Sequence, residues 1–442
     1  MRLFRIAIYV LLAFSVLAYG CVEEWSEAVL EISLAWLLVW WAIRQYRRRS
    51  EQVVLSPLFL PLATLALLVF AQMVFHTTAS LYHTRIELQL LVAYLTLLLL
   101  LTQAFYRSHH LRALVWFLMS LGFLVSIFAI LQYLTSNGKI YWFRVVRYGG
   151  LPFGPYVNRN HFAGFAELLI PIALVPLVLG KVRRERLFLV ALFALVPIVA
   201  LLLSASRGGI ISLTVEMIIL FLLLMVRRAH SRHFLVGGMV VLCAVLTVSW
   251  IGVHQVLGRF TGFQSLEVSE GKRAAMLAGS WKIFLDHPLI GTGLGTLQMV
   301  FPRYDSLYDG KIVNHSHNDY LEALAETGVL GGLCCVWFLG ALLLNSLRGL
   351  AELGSSFAAS LNLSGLVGCC GLLVHSLVDF NLHIPANALL FIVAAHLATV
   401  RLQPSPPGQI AGESAAGFDA KTKGGSQPTD GIMPQGGSHP DG

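Results

Sequence analysis

The sequence predicts an all-α polytopic membrane protein of about twelve transmembrane helices, and three observations carry that reading. Of its 442 residues, 57% are hydrophobic and only 12% charged, about half the charge usual in soluble domains, and the mean hydropathy is +0.73. Apolar runs of about 20 residues, each long enough as a helix to cross a hydrocarbon layer of about 30 Å, recur to about residue 402. Those runs are continuous and Leu-rich rather than alternating, and lipid leaves no backbone group unpaired, so helix is favoured over barrel strand.

In chain order the runs lie near 4–20, 27–43, 56–75, 86–106, 112–134, 161–180, 187–203, 210–226, 235–252, 319–347, 357–377 and 385–402. Cations set their orientation. Arg44, Arg47, Arg48 and Arg49 follow the second run, Arg107 and Arg112 the fourth, Lys181, Arg183, Arg184 and Arg186 the sixth, and Arg227, Arg228 and Arg232 the eighth. With Arg2 and Arg5 on the same face, the positive-inside rule places both termini in the cytoplasm. Cys21 follows Leu17-Ala18-Tyr19-Gly20 somewhat as at a lipoprotein cleavage site, but the bulky Tyr19 opposes cleavage and the first run reads as a retained anchor. Cys21, Cys243, Cys334, Cys335, Cys369 and Cys370 sit in or beside apolar runs without metal spacing and read as packing residues. Residues 403–442, rich in Gly, Pro and Ser without apolar periodicity, are expected to be a disordered cytoplasmic tail.

Two outward loops depart from simple connectors. Residues 135–160 carry Lys139, Arg144, Arg147 and Arg159 with no Asp or Glu, the wrong sign for a non-cytoplasmic loop, so something anionic is expected to offset them. Interleaved Tyr141, Trp142, Phe143, Tyr148, Phe153 and Tyr156 suit a segment lying in the interface. Residues 253–316 form a loop too long for a connector, with a helix-like stretch from Lys272 to Phe284. Its Gly291-Thr292-Gly293-Leu294-Gly295 lacks the strand and lysine of a nucleotide loop and reads as a flexible turn.

Polar chemistry concentrates in two further places. Ser204-Ala205-Ser206-Arg207-Gly208-Gly209 makes a short outward hairpin in hydrocarbon-like sequence, and its glycines and serines would let backbone approach a phosphate beside Arg207. Asn314-His315-Ser316-His317-Asn318-Asp319-Tyr320-Leu321-Glu322 precedes the tenth run. A neutral imidazole there can take a proton from a hydroxyl at ordinary pH. Asn318 or Asp319 can cap the helix, whose positive end would then face a bound anion. A metal would need His315, His317 and Asp319 to converge, and no second ligand set is evident, so no metal or other cofactor is expected. Glu322 and Glu326 lie one turn apart without an opposing carboxylate, against glycosidase chemistry.

Asn158-Arg159-Asn160-His161-Phe162-Ala163-Gly164, the Ser204–Gly209 hairpin, and His317-Asn318-Asp319-Tyr320-Leu321 followed by Glu326-Thr327-Gly328 together resemble the hallmarks of the O-antigen ligase and O-antigen polymerase superfamily. Arg273 through Trp281 to His287-Pro288-Leu289-Ile290-Gly291-Thr292-Gly293 resembles the loop segment of the same proteins, and the likeness covers about residues 150–340. It implies a GT-C-like glycosyltransferase domain over residues 1–402, metal-independent and inverting, in the bacterial inner membrane. The donor would be a glycan on undecaprenyl pyrophosphate, the acceptor a lipid or glycan hydroxyl such as that of lipid A-core, and the active site would be periplasmic. By the same resemblance Arg207 and Arg273 would hold the pyrophosphate and His317 would activate the acceptor. Arg159, Asn160, His161 and Asn318 would help place substrates. Membrane lipids are the other expected partners, and no nucleic acid is.

A different class is a carrier of lipid-linked sugars, since Glu167, Glu216, His375 and His396 lie inside apolar runs where a proton-coupled transporter would use them. No repeated pair of broken helices supports it. Within the favoured class a ligase, a polymerase and a protein glycosyltransferase would share these motifs.

Overall fold

The computed structural model describes residues 2–48, 52–146, 151–226, 237–246, 270–308, 310, 312–352 and 357–402, with Leu235 and Ser249 as isolated positions. The cations Arg147, Arg227, Arg228, Arg232 and Arg259 and the tail from Gln403 fall outside them. Among the described residues the chain is helical, with only two isolated β-bridges, Ile140 to Arg144 and Phe153 to Tyr156. Among the described residues each apolar run is represented by a helix, the ninth only over Gly237–Leu246. These are α1 (Arg2–Leu17), α2 (Glu24–Arg48), α3 (Phe59–Val74), α4 (Leu81–Ala104), α5 (Ser108–Leu134), α6 (Arg159–Val178), α7 (Arg184–Ser204) and α8 (Arg207–Val226). Next come α9 (Gly237–Leu246), then α10 (Glu270–Asp286), α11 (Leu297–Val300), α12 (Asp319–Glu352), α13 (Phe357–His375) and α14 (Pro385–Thr399). Eight of them are long and apolar enough to cross a membrane: α2, α4, α5, α6, α7, α8, α12 and α13. The chain is thus an α-helical polytopic membrane protein.

The bundle is organised around α6. Its residues from His161 to Val178 are all buried, the pattern of a helix enclosed by others rather than lying on a surface. Helices α5, α7, α8, α13 and α14 surround it. Side chains of α1, among them Phe4, Ile8, Leu12 and Val16, join the same core, so the first apolar run is packed into the bundle.

Helix α12 is broken at Gly328, whose φ of 62° and ψ of −165° only glycine adopts readily. The break is repaired by residues 287–297. Val329 and Leu330 donate to the carbonyls of Pro288 (2.8 Å) and Leu289 (3.1 Å), while Thr292 and Gly293 donate to those of Ala325 (3.1 Å) and Glu326 (2.9 Å). Gln72 of α3 donates to Ile290 O at 2.6 Å and Glu326 O at 2.9 Å. A Cβ at Gly291 or Gly328 would strike the opposing backbone. The Gly291–Gly295 segment, expected to be a flexible turn, is therefore a pinned clasp; the glycines are there for backbone proximity, a role sequence spacing alone does not separate from mobility. Glu326, read as lacking an opposing carboxylate, accepts the N–H of Gly295 (2.9 Å) and of Leu297 (2.8 Å). Outside the bundle, α10 extends the expected helix by a few residues and packs on α12 through a small core of Met276, Ile283, Leu297, Val300, Phe301, Val313 and Ala325.

The basic loop before α6 finds part of its counter-charge within the chain. Arg144 pairs with Glu23 and lies 3.8 Å from the centre of the Tyr19 ring. Tyr141 stacks on Phe128 of α5 with centroids 5.1 Å apart. For Arg144, then, a carboxylate at the start of α2 supplies the anion that the loop's own composition lacks.

Candidate functional site

The site forms where the starts of α6, α8 and α12 meet the turn between α13 and α14. Asn318 caps α12, its Oδ1 accepting from Leu321 N–H at 2.9 Å and its Nδ2 donating to Leu377 O at 2.9 Å. Asp319 N–H donates to Ser376 O at 3.0 Å and Tyr320 Oη to Leu373 O at 2.7 Å. The segment before α12 is thereby laced to the end of α13. Asn318 has a structural task as a cap, beyond the substrate contact expected of it.

His315 and His317 diverge. A left-handed backbone at His317, φ 55°, uncommon for a residue other than glycine, turns its ring away from its neighbour's partner. His317 Nδ1 lies 3.1 Å from Asp379 Oδ1, with 17% of the His317 side chain and 1% of the Asp379 side chain exposed. His315 Nδ1 instead meets Glu322 Oε1 at 2.8 Å. Glu322 Oε2 accepts from Ser316 N–H at 2.8 Å and Ser316 Oγ at 3.1 Å. His383 completes the group, its Nδ1 2.7 Å from Asp319 Oδ1 and its Nε2 3.5 Å from Glu322 Oε1, while Asp319 Oδ2 accepts from Leu382 N–H at 3.1 Å. The convergence of His315, His317 and Asp319 that a metal would have needed does not occur. What converges is His315, Glu322 and His383, with ligand-capable atoms within 4.8 Å of one another. In this arrangement Glu322 Oε1 is hydrogen-bonded to His315 Nδ1 and Glu322 Oε2 to Ser316.

Phe380 is the hub. His315 stacks on it at 4.3 Å between centroids, and His317 at 5.0 Å and His161 at 4.8 Å stand edge-on to it. His161 Nε2 is buried with no hydrogen-bond partner among the described residues, as are Asp379 Oδ2 and Asn381 Nδ2. Asn387 ties this corner together, donating to His161 O at 2.9 Å and Asn381 Oδ1 at 3.1 Å and accepting from Tyr156 Oη at 3.0 Å.

Electrostatics follow from these partners. Burial raises the Asp379 carboxyl, but the His317 hydrogen bond and the nearby His161, His317 and His375 imidazoles outweigh it, so it lies below the ordinary value and is a carboxylate. Burial lowers His383, but the charge of Glu322, the hydrogen bond to Asp319 and the charges of Asp319 and Glu326 outweigh it, so it lies well above the usual histidine range and is an imidazolium. Since an ionised carboxylate only accepts, the hydrogen of this contact is on His317 Nδ1, which in a neutral ring leaves the lone pair on Nε2.

Arg207 opens α8 after the left-handed Ala205, φ 51°. A Cβ on Gly208 would lie 2.5 Å from His375 Nε2, and one on Gly209 2.6 Å from Ala163 Cβ. These glycines, read as room for a ligand, are occupied by helix packing, and that packing sets Arg207 beside the end of α13. His375 in turn meets Glu167 Oε1 at 2.9 Å, both side chains essentially inaccessible, so two of the groups assigned to a transporter path pair with each other beneath the hairpin.

Four of the expected site residues, His317, His161, Arg207 and Asn318, are thus gathered around residues 375–383. Arg159 and Asn160 precede His161 in the first turn of α6, which Asn158 caps through Asn160 N–H at 2.8 Å. Arg273 stands apart on α10, half-buried, its Nε without a hydrogen-bond partner among the described residues. Sequence reading missed Asp379, Phe380 and His383. The signal was a polar stretch, Asp379-Phe380-Asn381-Leu382-His383, between the last two apolar runs, passed over because it lies beyond the motif region.

The O-antigen ligase family model matches residues 191–336, a segment that holds Arg207, Arg273, His317 and Asn318 but neither α6 nor Asp379 and His383. No curated protein sequence matches the chain. In agreement with the motifs, residues 191–336 of the chain are similar to the O-antigen ligase family.

Proposed function

We propose that the protein is an O-antigen ligase-type glycosyltransferase of the inner membrane, moving a glycan from undecaprenyl pyrophosphate to an acceptor hydroxyl, of lipid A-core or a similar lipid, on the periplasmic face. The observation that carries this reading is the pairing of His317 with the buried Asp379 carboxylate at 3.1 Å at the mouth of helices whose starts carry Arg159 and Arg207. A base held in one tautomer by a carboxylate can accept a hydroxyl proton on its free nitrogen, and the carboxylate stabilises the imidazolium that results. In the proposed step the acceptor proton passes to His317 Nε2 and the oxygen attacks the anomeric carbon. The bond from that carbon to pyrophosphate breaks, with its electron pair leaving on the pyrophosphate oxygen and the configuration inverting. Arg207 and Arg273 offset the charge that grows on the leaving group, and the Arg273 Nε, buried without a hydrogen-bond partner among the described residues, suits a guanidinium that meets an anion. No metal enters this step; the His315, Glu322 and His383 group would serve to hold the loop before α12.

The test is reconstitution of the full chain with an undecaprenyl-pyrophosphate glycan and candidate acceptors, without ATP and with chelator, the product being identified by mass. Covalent transfer with release of undecaprenyl pyrophosphate supports the reading, and extension of one lipid-linked glycan by another would assign a polymerase instead. A requirement for divalent metal would sink the metal-free mechanism, and movement of glycan-lipid across liposomes without product would mark a carrier.

A further inference from the structure

An apolar groove of about 490 Å³ runs between α3, α4, α12 and α14 and ends at the site, within the roughly 300–1,000 Å³ common for ligand sites. Its walls include Leu62 and Leu65 of α3, Leu90 of α4, Leu333 and Phe338 of α12 and Phe391 of α14, and its polar end is Glu87, Asp319 and His383. Leu333 and the adjoining Val336 are 58% and 65% exposed on a helix long and apolar enough to cross a membrane, so the groove opens toward hydrocarbon. From its polar end a line of contacts leads across the site: His383 to His315 at 4.8 Å, His315 to Phe380 and Phe380 to His317, then Asp379. One turn before Asp379 stands His375, against Gly208 beside Arg207.

The two flanks differ in charge. Arg207 stands on the α6 and α13 side, whereas among the described residues no lysine or arginine lines the groove, and its two carboxylates outnumber the single imidazolium already shared with Asp319. A pyrophosphate brought in along this groove would meet like charge in a medium that screens poorly. A chain whose nearest polar group is an uncharged hydroxyl would meet acceptors for its hydrogen bond instead. We infer that the groove holds the hydrocarbon chain of the lipid-borne acceptor, its hydroxyl end toward His383 and Asp319, while the donor approaches from the Arg207 flank. This rests on the glycosyl-transfer reading above and adds to it the side from which each substrate enters.

The test uses the full chain in nanodiscs and a long-chain alkyl glycoside carrying a diazirine near the end of its chain. Photolysis should label peptides of α3, α12 and α14, and the label should be displaced by the unmodified glycoside but not by undecaprenyl pyrophosphate. Leu62→Trp and Leu333→Trp, which fill the groove, should cut labelling and raise KM for the long-chain acceptor about tenfold, the cost of keeping two or so methylenes from apolar contact. KM for the donor, and turnover with a short-chain glycoside of the same sugar, should stay near the unsubstituted values, which also shows that the variants fold. Displacement by undecaprenyl pyrophosphate, or a raised donor KM, would overturn the inference in favour of the donor's tail. Labelling that neither lipid displaces would overturn it in favour of bulk phospholipid. Labelling as expected, with no product from any acceptor, would leave the groove as a site for a glycolipid's hydrocarbon chain and sink the transfer reading, and with it the chain's role as acceptor.

Discussion

His317 and Asp379 meet through an Nδ1 to Oδ1 contact of 3.1 Å across 62 positions of sequence, and the carboxylate in that pair has 1% of its side chain exposed. Burying an acid so fully is costly unless its charge is met. Here the imidazole meets it, and Phe380 N–H donates to the same oxygen at 3.0 Å. Such a pair fixes the tautomer of the neutral histidine, with the lone pair on Nε2.

Replacing either member should therefore impair the same step. His317→Ala is expected to lower kcat by about 10²–10⁴, the range of positioned general bases, with little change in donor KM. Asp379→Asn should give a comparable loss while keeping the ring in place, and the double variant should be scarcely worse than either single one, since the two act as a unit. Turnover at saturating substrates, measured for the three variants in nanodiscs, checks this; near-normal kcat in His317→Ala would remove the base assignment.

Arg207 and Arg273 are expected to differ from that pair in their kinetic signature. If both meet pyrophosphate as its charge grows, Arg207→Ala and Arg273→Ala should each lower kcat/KM for the donor by about 10²–10³. KM for the acceptor should barely move. Lysine at position 207 should restore only part of the loss, because an ammonium lacks the planar fork that engages phosphate oxygens in pairs. Inhibition by free undecaprenyl pyrophosphate should weaken in parallel, and an unchanged inhibition constant in both variants would place the anion elsewhere.

Much of this was legible beforehand, for a reason visible in particular residues. Lipid demands long apolar runs, so the helices from α2 to α8 and α12 to α14 announce themselves in composition. The motif residues Arg207, His161 and His317 stand out because polar groups are rare in such sequence. Asp379 and His383 were not found because His317 and Asp319, with which they pair, are 62 and 64 residues away, and no local pattern encodes a pairing between separate helix ends. The Gly291–Gly295 clasp was misread for a related reason. A glycine that permits mobility and one that permits two backbones to touch look alike until the second backbone is known.

The stability of the site should depend on pH in a way set by two groups. Asp379 is held below its ordinary value of 3.8, so its contribution is present above that value and is lost as pH falls through the lower, folded one. His383 is held well above 6.5, so its contribution is full below 6.5 and is lost as pH rises through the higher, folded value. Thermal stability in detergent is thus expected to be greatest between about pH 4 and 6.5 as far as these two groups decide it, and to fall on the alkaline side. His383→Gln should flatten the alkaline decline and leave the acid limb in place. A parallel decline in both proteins would show that His383 is not the group responsible.

The break in α12 gives a prediction that separates architecture from chemistry. Gly328 combines φ 62° with ψ −165°, and an added Cβ there would meet the Leu289 backbone, as one on Gly291, φ 68°, would meet that of Glu326. Gly328→Ala should cost at least about 2–3 kcal/mol, from strain of about 1–3 kcal/mol in that backbone region together with the clash. Gly291→Ala should act similarly. The two residues face each other across one contact, between Pro288 to Gly293 on one side and Ala325 to Leu330 on the other, so pushing it apart once removes most of what the second substitution could disturb. The double variant is therefore expected to lose clearly less than the sum of the singles. Melting temperatures of the three proteins in one detergent measure this coupling. Strict additivity would mean that the clasp and the break are held independently, and that residues 287–297 do not close the gap in α12.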